Sequence, residues 1–395
     1  MQRPPLLVAV YLPTILLAFA QGLFLVTLPL HVVAEFDVST ALVGLAVAAA
    51  ALGTLVTDVP AGALLGRLGL RPAMILGSAL VALATLALAF AGSYQEVVAF
   101  RVAAGVGSAL WGLSRHAYIA EAVPVAQRGR AISVFGGINR IGTFGGPAVG
   151  GGLGGAFGLE ASFVLAGAFA VVGLILSILF IKPTAAPAVP LAARARWRLV
   201  GRLVRESGRD LSAAAVAQTF AQMIRAGRQL IIPLYGASIG LDAASIGLVM
   251  TVSALLDVSM FVPAGQLMDR FGRKAAAVPS FGVMAVGVGL IPLTSSYGEL
   301  LAAAALIGLG NGLGSGTMMT LGADLAPPGA TGEFLGLWRL VGDVGGVGGP
   351  LAVGLVADEL GLEGSAVVIA GLGLAAALTL AFLVRETRQT PLDAT

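Results

Sequence analysis

Apolar runs of about twenty residues, each broken by a short polar or glycine–proline punctuation, repeat along the whole chain. A helix that crosses a bilayer needs about 20 predominantly apolar residues. The runs predict twelve such helices, at 6–34, 41–66, 72–91, 95–122, 130–157, 160–182, 211–238, 243–269, 275–296, 298–325, 332–359 and 364–384. The first run is too long for a signal-peptide core and is read as a retained span. A fully hydrocarbon-solvated backbone must satisfy its own hydrogen bonds, so the expected class is all-α integral membrane protein.

Composition sharpens this reading. Only 11% of the 395 residues are charged against 57% hydrophobic, where soluble domains carry about 25% charged residues. Seventeen of the 23 basic residues fall in the tails, the middle loop and every second connection, among them Arg67, Arg71, Arg128, Arg130, Arg270, Arg273 and Lys274. The opposite connections carry acids such as Glu35, Asp37, Asp242, Glu299 and Glu363 and no Lys or Arg. The positive-inside rule then places both termini and the middle loop in the cytoplasm, which an even number of spans requires. The basic residues form no single stripe, so nucleic-acid binding is not expected. With no cysteine and two histidines, His31 and His116, neither a thiolate site nor a His-rich metal site is expected. No nucleophile–base constellation or phosphate-cradling loop appears, so the chain is not expected to be an enzyme or to use a cofactor.

The middle segment, 183–210, opens Pro-rich and turns Arg-rich, and it divides the spans six and six: 1–182, then 211–395. A shift of 203 residues brings Pro60-Ala61-Gly62 onto Pro263-Ala264-Gly265, Gly69 onto Gly272, Gly105 and Gly107 onto Gly308 and Gly310, Pro124 onto Pro327, and Gly146-Pro147 onto Gly349-Pro350. Two parallel six-helix repeats are a transporter architecture, with substrate bound between them near the midplane.

Between the eighth and ninth spans the chain reads Gly265-Gln266-Leu267-Met268-Asp269-Arg270-Phe271-Gly272-Arg273-Lys274. This resembles the signature loop of the major facilitator superfamily, and the resemblance extends over essentially the whole chain. It implies two pseudo-symmetric six-helix bundles, transport by alternating access, and a charged loop that holds the cytoplasmic side closed. The first-half loop has Gly66 in place of the acid and Leu70 in place of a basic residue, which implies a weakened latch there. In the fourth span, Arg101 with Gly105 and Gly107 resembles the family's intramembrane-arginine motif, tied to proton coupling. In the fifth, Gly142, Gly146, Pro147 and Gly150, with Ser133 for a first glycine, resemble the motif of the drug–proton antiporters. Its physical content is a smooth face for close helix contact and a proline that permits a bend.

Six arginines lie inside predicted spans: Arg101, Arg115, Arg140, Arg225, Arg228 and Arg339; the deep acids are Asp58, Asp257 and Asp343. A charge at the bilayer centre costs about 2.5–3.5 kcal/mol or more, so each should face protein or water and have a partner. The resemblance implies that the fifth and eighth spans meet, as do the second and eleventh, pairing Arg140 with Asp257 and Asp58 with Arg339. Asp343 has an alternative partner in Arg339, four residues earlier. Arg225 and Arg228 share a helix face and suit a carboxylate or phosphate. With Gln21, Phe24, Gln222 and Met223 they make up the expected substrate contacts. The first span lacks the acid found in many drug–proton exporters, which leaves proton coupling to Asp58, Asp257 or Asp343, or to His116. The expectation is a monomeric transporter of the bacterial inner membrane that exports lipophilic small molecules in exchange for protons. Its alternative is a carrier or flippase for an amphipathic anion or lipid headgroup.

Overall fold

The computed structural model describes residues 6–123, 125–182, 208–326 and 331–387. Among these, every regular element is helical. A single π turn, Leu7–Tyr11, enters α1 (Leu12–Phe36); α2 (Thr40–Leu68), α3 (Leu70–Leu88), α4 (Tyr94–Ala122), α5 (Val125–Phe157) and α6 (Leu159–Phe180) follow. The second series is α7 (Gly208–Ser238), α8 (Ala243–Ser259), α9 (Phe261–Phe271), α10 (Arg273–Leu290, with a 3-10 turn at Ile291–Leu293), α11 (Tyr297–Leu313), α12 (Thr317–Asp324) and α13 (Thr331–Phe382). Nine stretches are long and apolar enough to span. One of them, Phe334–Phe382, contains two spans, and α5 and α7, which carry arginines, bring the number to twelve.

Two expected spans are interrupted, and two others run together. The eighth splits at Met260 into α8 and α9. Pro263 explains the position, because its ring displaces the carbonyl of the residue four earlier, Ser259, the last of α8. The tenth splits at Gly314–Gly316, where Gly316 takes φ +78°, a left-handed conformation that disfavours any other residue. The eleventh and twelfth run together through Gly361 (φ +74°), a reversal point without a polar loop.

The chain forms two compact units, Met1–Pro190 with Gly236–Thr251, and Leu191–Tyr235 with Val252–Thr395. The division expected at 183–210 differs in leaving 236–251 with the second half; residues 183–207 of that segment lie outside the described residues. In the first unit α1 packs on α5 and α6, and α4 packs on α2 and α3. In the second, α10 packs on α11 and α13. Large apolar side chains such as Leu83, Phe157, Leu179, Val367 and Phe382 stay exposed. In water that would be an aggregation surface; in lipid it is the solvated face.

The internal repeat is written in the backbone. Positive φ occurs at Asp37, Gly69 and Gly158 in the first half and at Gly240, Gly272 and Gly361 in the second, each pair 203 residues apart. Ser162 Oγ donates to Gly150 O, and its counterpart Ser365 Oγ donates to Val353 O, at 2.9 and 2.8 Å. Ser93 caps the Glu96 amide as Ser296 caps that of Glu299.

Glycine sets how closely helices approach. On α5, Gly142, Gly146 and Gly150 lie on one face against α1. A Cβ would fall 2.6 Å from Ala18 Cβ at Gly142 and 2.7 Å from Leu23 O at Gly150, and would strike the Gly22 backbone at Gly146. On α13 the matching contacts come from Gly345 against Thr219 and Gly349 against Met223 and Gly227 of α7, whereas Gly346 faces open space. Pro147 sits within a continuous α5. Forcing side-chain volume into such a contact costs about 1–3 kcal/mol. Gly146→Val should therefore lower the thermal unfolding midpoint in detergent, while Gly346→Val should leave it unchanged; equal effects would contradict this packing.

Candidate functional site

The densest polar arrangement among the described residues of the second unit is built from α7, α8 and α11. Gln222, Arg225 and Arg228 recur at three-residue spacing, which on a helix puts them on one face. Asp257 lies in the last turn of α8. Gly312 lets α11 approach the Asp257 carbonyl more closely than a Cβ would permit, which brings Asn311 to the carboxylate. The interruption at Gly314 ends α11 and frees its last carbonyls, groups that a helix terminus leaves without intrahelical donors.

These groups form a chain. Arg225 donates through Nε to Asn311 Oδ1 (3.0 Å), through Nη1 to Gln222 Oε1 (3.2 Å) and through Nη2 to Gly314 O (3.0 Å). Its guanidinium lies 5.0 Å from the Phe281 ring centroid, a favourable cation–π distance. Asn311 Nδ2 then donates to Asp257 Oδ2 at 2.6 Å. Arg228 Nη2 stands 3.9 Å from the same oxygen, and the two side chains are only 14% and 15% exposed. Asn311 thus reads a cation with its oxygen and an anion with its nitrogen, which fixes its amide orientation. Charges of both signs thus meet in a setting where water screens little.

Asn311 escaped the sequence reading, which followed formal charges. Its signal was available: the chain has two asparagines, Asn139 and Asn311, and this one lies in an otherwise apolar span. Asp257, expected opposite Arg140, is bonded to Asn311 and faces Arg228. Arg339, expected opposite Asp58, pairs with Asp343 (3.7 Å) one turn along its own helix, the alternative drawn from spacing. Met223 packs against Gly348 of α13.

In the first unit Arg101 lies over Phe24, 5.3 Å from the ring centroid, and Phe24 in turn meets Phe163. Phe24 is buried and Gln21 is exposed. Arg115 donates to Thr14 Oγ1 (3.3 Å) and lies over Trp111. Asp58 and Arg140 are partly buried.

The signature loop is held by charges from elsewhere. Arg273 bonds Asp324 through Nε (2.7 Å) and Nη2 (3.4 Å). Glu386 accepts from the amides of Arg273 (2.9 Å) and Lys274 (3.0 Å), a carboxylate on the positive end of α10. Asp269 and Arg270 are exposed and Gly265 is partly buried. Gly272, at φ +99°, leaves room for Glu386 that a side chain would fill. One contact recurs in both halves: Arg71 donates to Ile178 O as Lys274 donates to Ala381 O. Leu70, at the position equivalent to Arg273, offers a carboxylate no charged donor. Glu386 was missed because a tail acid was weighed only as charge.

The family model of the Major Facilitator Superfamily matches residues 10–223 and 211–394. The chain is 26% identical to multidrug resistance protein MdtH of Aeromonas hydrophila over 349 residues, 86% of this chain and 85% of the relative. It is 22% identical to an MFS-type transporter of Methanocaldococcus jannaschii, over 81% and 83% of the two chains. Among solved structures, a D-xylose–proton symporter superposes with a TM-score of 0.79 at 18% identity, covering 97% of this chain and 98% of that one.

Leaving a buried donor or acceptor unpaired costs about 1–3 kcal/mol, and more for a charged group. Asn311→Leu strips Arg225 of one acceptor and Asp257 of a donor, and should cost at least about 1–3 kcal/mol of stability, read as a lower unfolding midpoint. Asn311→Asp should restore the Arg225 contact yet set two carboxylates together at neutral pH, so its stability should rise as pH falls. A midpoint indifferent to both substitutions would contradict the network.

Proposed function

The chain belongs to the major facilitator superfamily and is a multi-pass membrane transporter, and we propose that it exports lipophilic small molecules in exchange for protons. The reading places it in a bacterial-type inner membrane as a monomer, with both termini cytoplasmic, working by alternating access. The observation that carries it is Asp257, a carboxylate that accepts a short hydrogen bond from Asn311 and faces Arg228. Protonation removes the charge that faces Arg228 and turns one carboxylate oxygen into a donor. Arg228 then loses that counter-charge and the charge-assisted bond from Asn311 weakens, which loosens the chain that leads on to Arg225. A proton is thereby exchanged for a rearrangement of α7 against α8 and α11, which is the coupling that exchange transport needs.

The energetics suffice. A pH difference of one unit is worth about 1.4 kcal/mol, and a potential of 100 mV about 2.3 kcal/mol per charge. One proton moving down both releases about 3.7 kcal/mol, enough to sustain a gradient of several hundred-fold in a neutral substrate. Two further features support export of lipophilic compounds: the glycine face and Pro147 of α5, and similarity over most of the chain to a protein named for multidrug resistance.

A second reading, a carrier or flippase for an amphipathic anion or lipid headgroup, is favoured by one observation, the Arg225 and Arg228 guanidiniums carried on one face of α7. Asp257→Asn separates the readings. Under the first it should abolish uphill, gradient-driven transport and leave binding of a lipophilic compound within about threefold. Uphill transport at the wild-type rate would overturn the role of Asp257. Under the second, Arg225→Gln with Arg228→Gln should weaken an amphipathic anion at least tenfold more than a lipophilic cation; equal losses would remove that reading.

A further inference from the structure

The ends of α1 and α6 away from the Arg-rich connections carry a cluster that the α7–α8–α11 site does not use. His31 and Glu35 are four residues apart and so share one face of α1. Glu160 stands in the first turn of α6. One ligand atom from each of the three lies within 4.8 Å of the others. The closest pair, His31 Nδ1 and Glu160 Oε1, is 3.3 Å apart.

The histidine is the informative member. His31 is 5% exposed in the midst of an apolar helix. Its ring is held edge-on by Phe163 (5.0 Å) and Phe36 (5.7 Å). Its Nδ1 is buried and makes no hydrogen bond, although it points towards the two carboxylates. A buried polar nitrogen normally has a partner. The Glu160 side chain is 49% exposed and Glu35 is also exposed, so an ion arriving from water reaches the carboxylates first and the oriented imidazole next.

Geometry and charge select the ion. Zinc binds histidine nitrogen and glutamate oxygen at about 2.0–2.2 Å in tetrahedral geometry. Two such ligands stand about 3.4 Å apart, close to the separation of His31 and Glu160. Calcium and magnesium take six or more oxygen ligands and gain little from an imidazole. The connections on this side of the chain carry no Lys or Arg to compete with a cation. Two carboxylates and a neutral imidazole sum to the charge that one divalent ion neutralises.

We propose that His31, Glu35 and Glu160 bind one zinc ion, with its fourth position open to water, and that the ion clips the end of α1 to the start of α6. The proposal contradicts the expectation of no metal. That expectation looked for several histidines, whereas this set uses one.

The test is a titration of tag-free, full-length protein in detergent with Zn2+, followed by calorimetry and by the thermal midpoint, with Ca2+ as control. One equivalent of Zn2+ should bind saturably and raise the midpoint, and Ca2+ at the same concentration should not. Glu35→Gln and Glu160→Gln change exposed groups and should leave the metal-free midpoint near wild type, yet each should weaken Zn2+ binding at least about tenfold. His31→Gln should do the same, and His116→Gln should have no effect. Absence of saturable Zn2+ binding overturns the proposal, as does wild-type affinity in either glutamate variant.

Discussion

Hydrocarbon offers no hydrogen bonds, so each polar group in a spanning segment must find its partner within the protein. That constraint explains why every regular element among the described residues is a helix. It also explains where the helices stop. Gly314 ends α11 inside the span, and the carbonyl it frees is taken at once by Arg225. The same guanidinium is shared among Gln222, Asn311 and the face of Phe281, and Asn311 passes the connection on to Asp257. A charge that would be unaffordable alone is thus stabilised by a neutral amide between cation and anion. Such an arrangement is stable as it stands and sensitive to a single proton.

The second organising feature is close approach. The glycines of α5 and α13 remove the side chains that would otherwise keep backbones apart, and they meet α1 and α7 at equivalent places in the repeat. Without a hydrophobic drive between helices in lipid, such contacts carry much of the association. They also tie α7 to α13, so movement of the Arg225 face is transmitted through a tight joint. At the basic end, Asp324 and Glu386 hold Arg273 and the first turn of α10.

Much of this was legible in the sequence because it rests on spacing and composition. Apolar run length gave the spans, and the 203-residue shift matched Gly69 with Gly272, which both take positive φ; the same spacing at Asp37 and Gly158 shows only in the backbone. What was not legible depends on rotation about a helix or on contacts far along the chain. Gly345, not its neighbour Gly346, makes the α13 contact, a difference of one helical position. The Gly314–Gly316 interruption hides in a run that reads as continuous apolar sequence. Asn311 carries no charge and Glu386 lies in a tail, so neither stood out until Arg225 and Arg273 were seen beside them. His31 read as an isolated polar group because Glu160 is five spans away.

The central claim is that substrate movement is exchanged for protons. Proteoliposomes with an imposed pH gradient and a pH-sensitive dye inside test it directly, with lipophilic cations, neutral amphiphiles and amphipathic anions added in turn. Proton movement triggered by the cations or the neutral compounds, and lost in Asp257→Asn, is the predicted result. Proton movement triggered by anions alone, or binding of any of the three without proton movement, would contradict it.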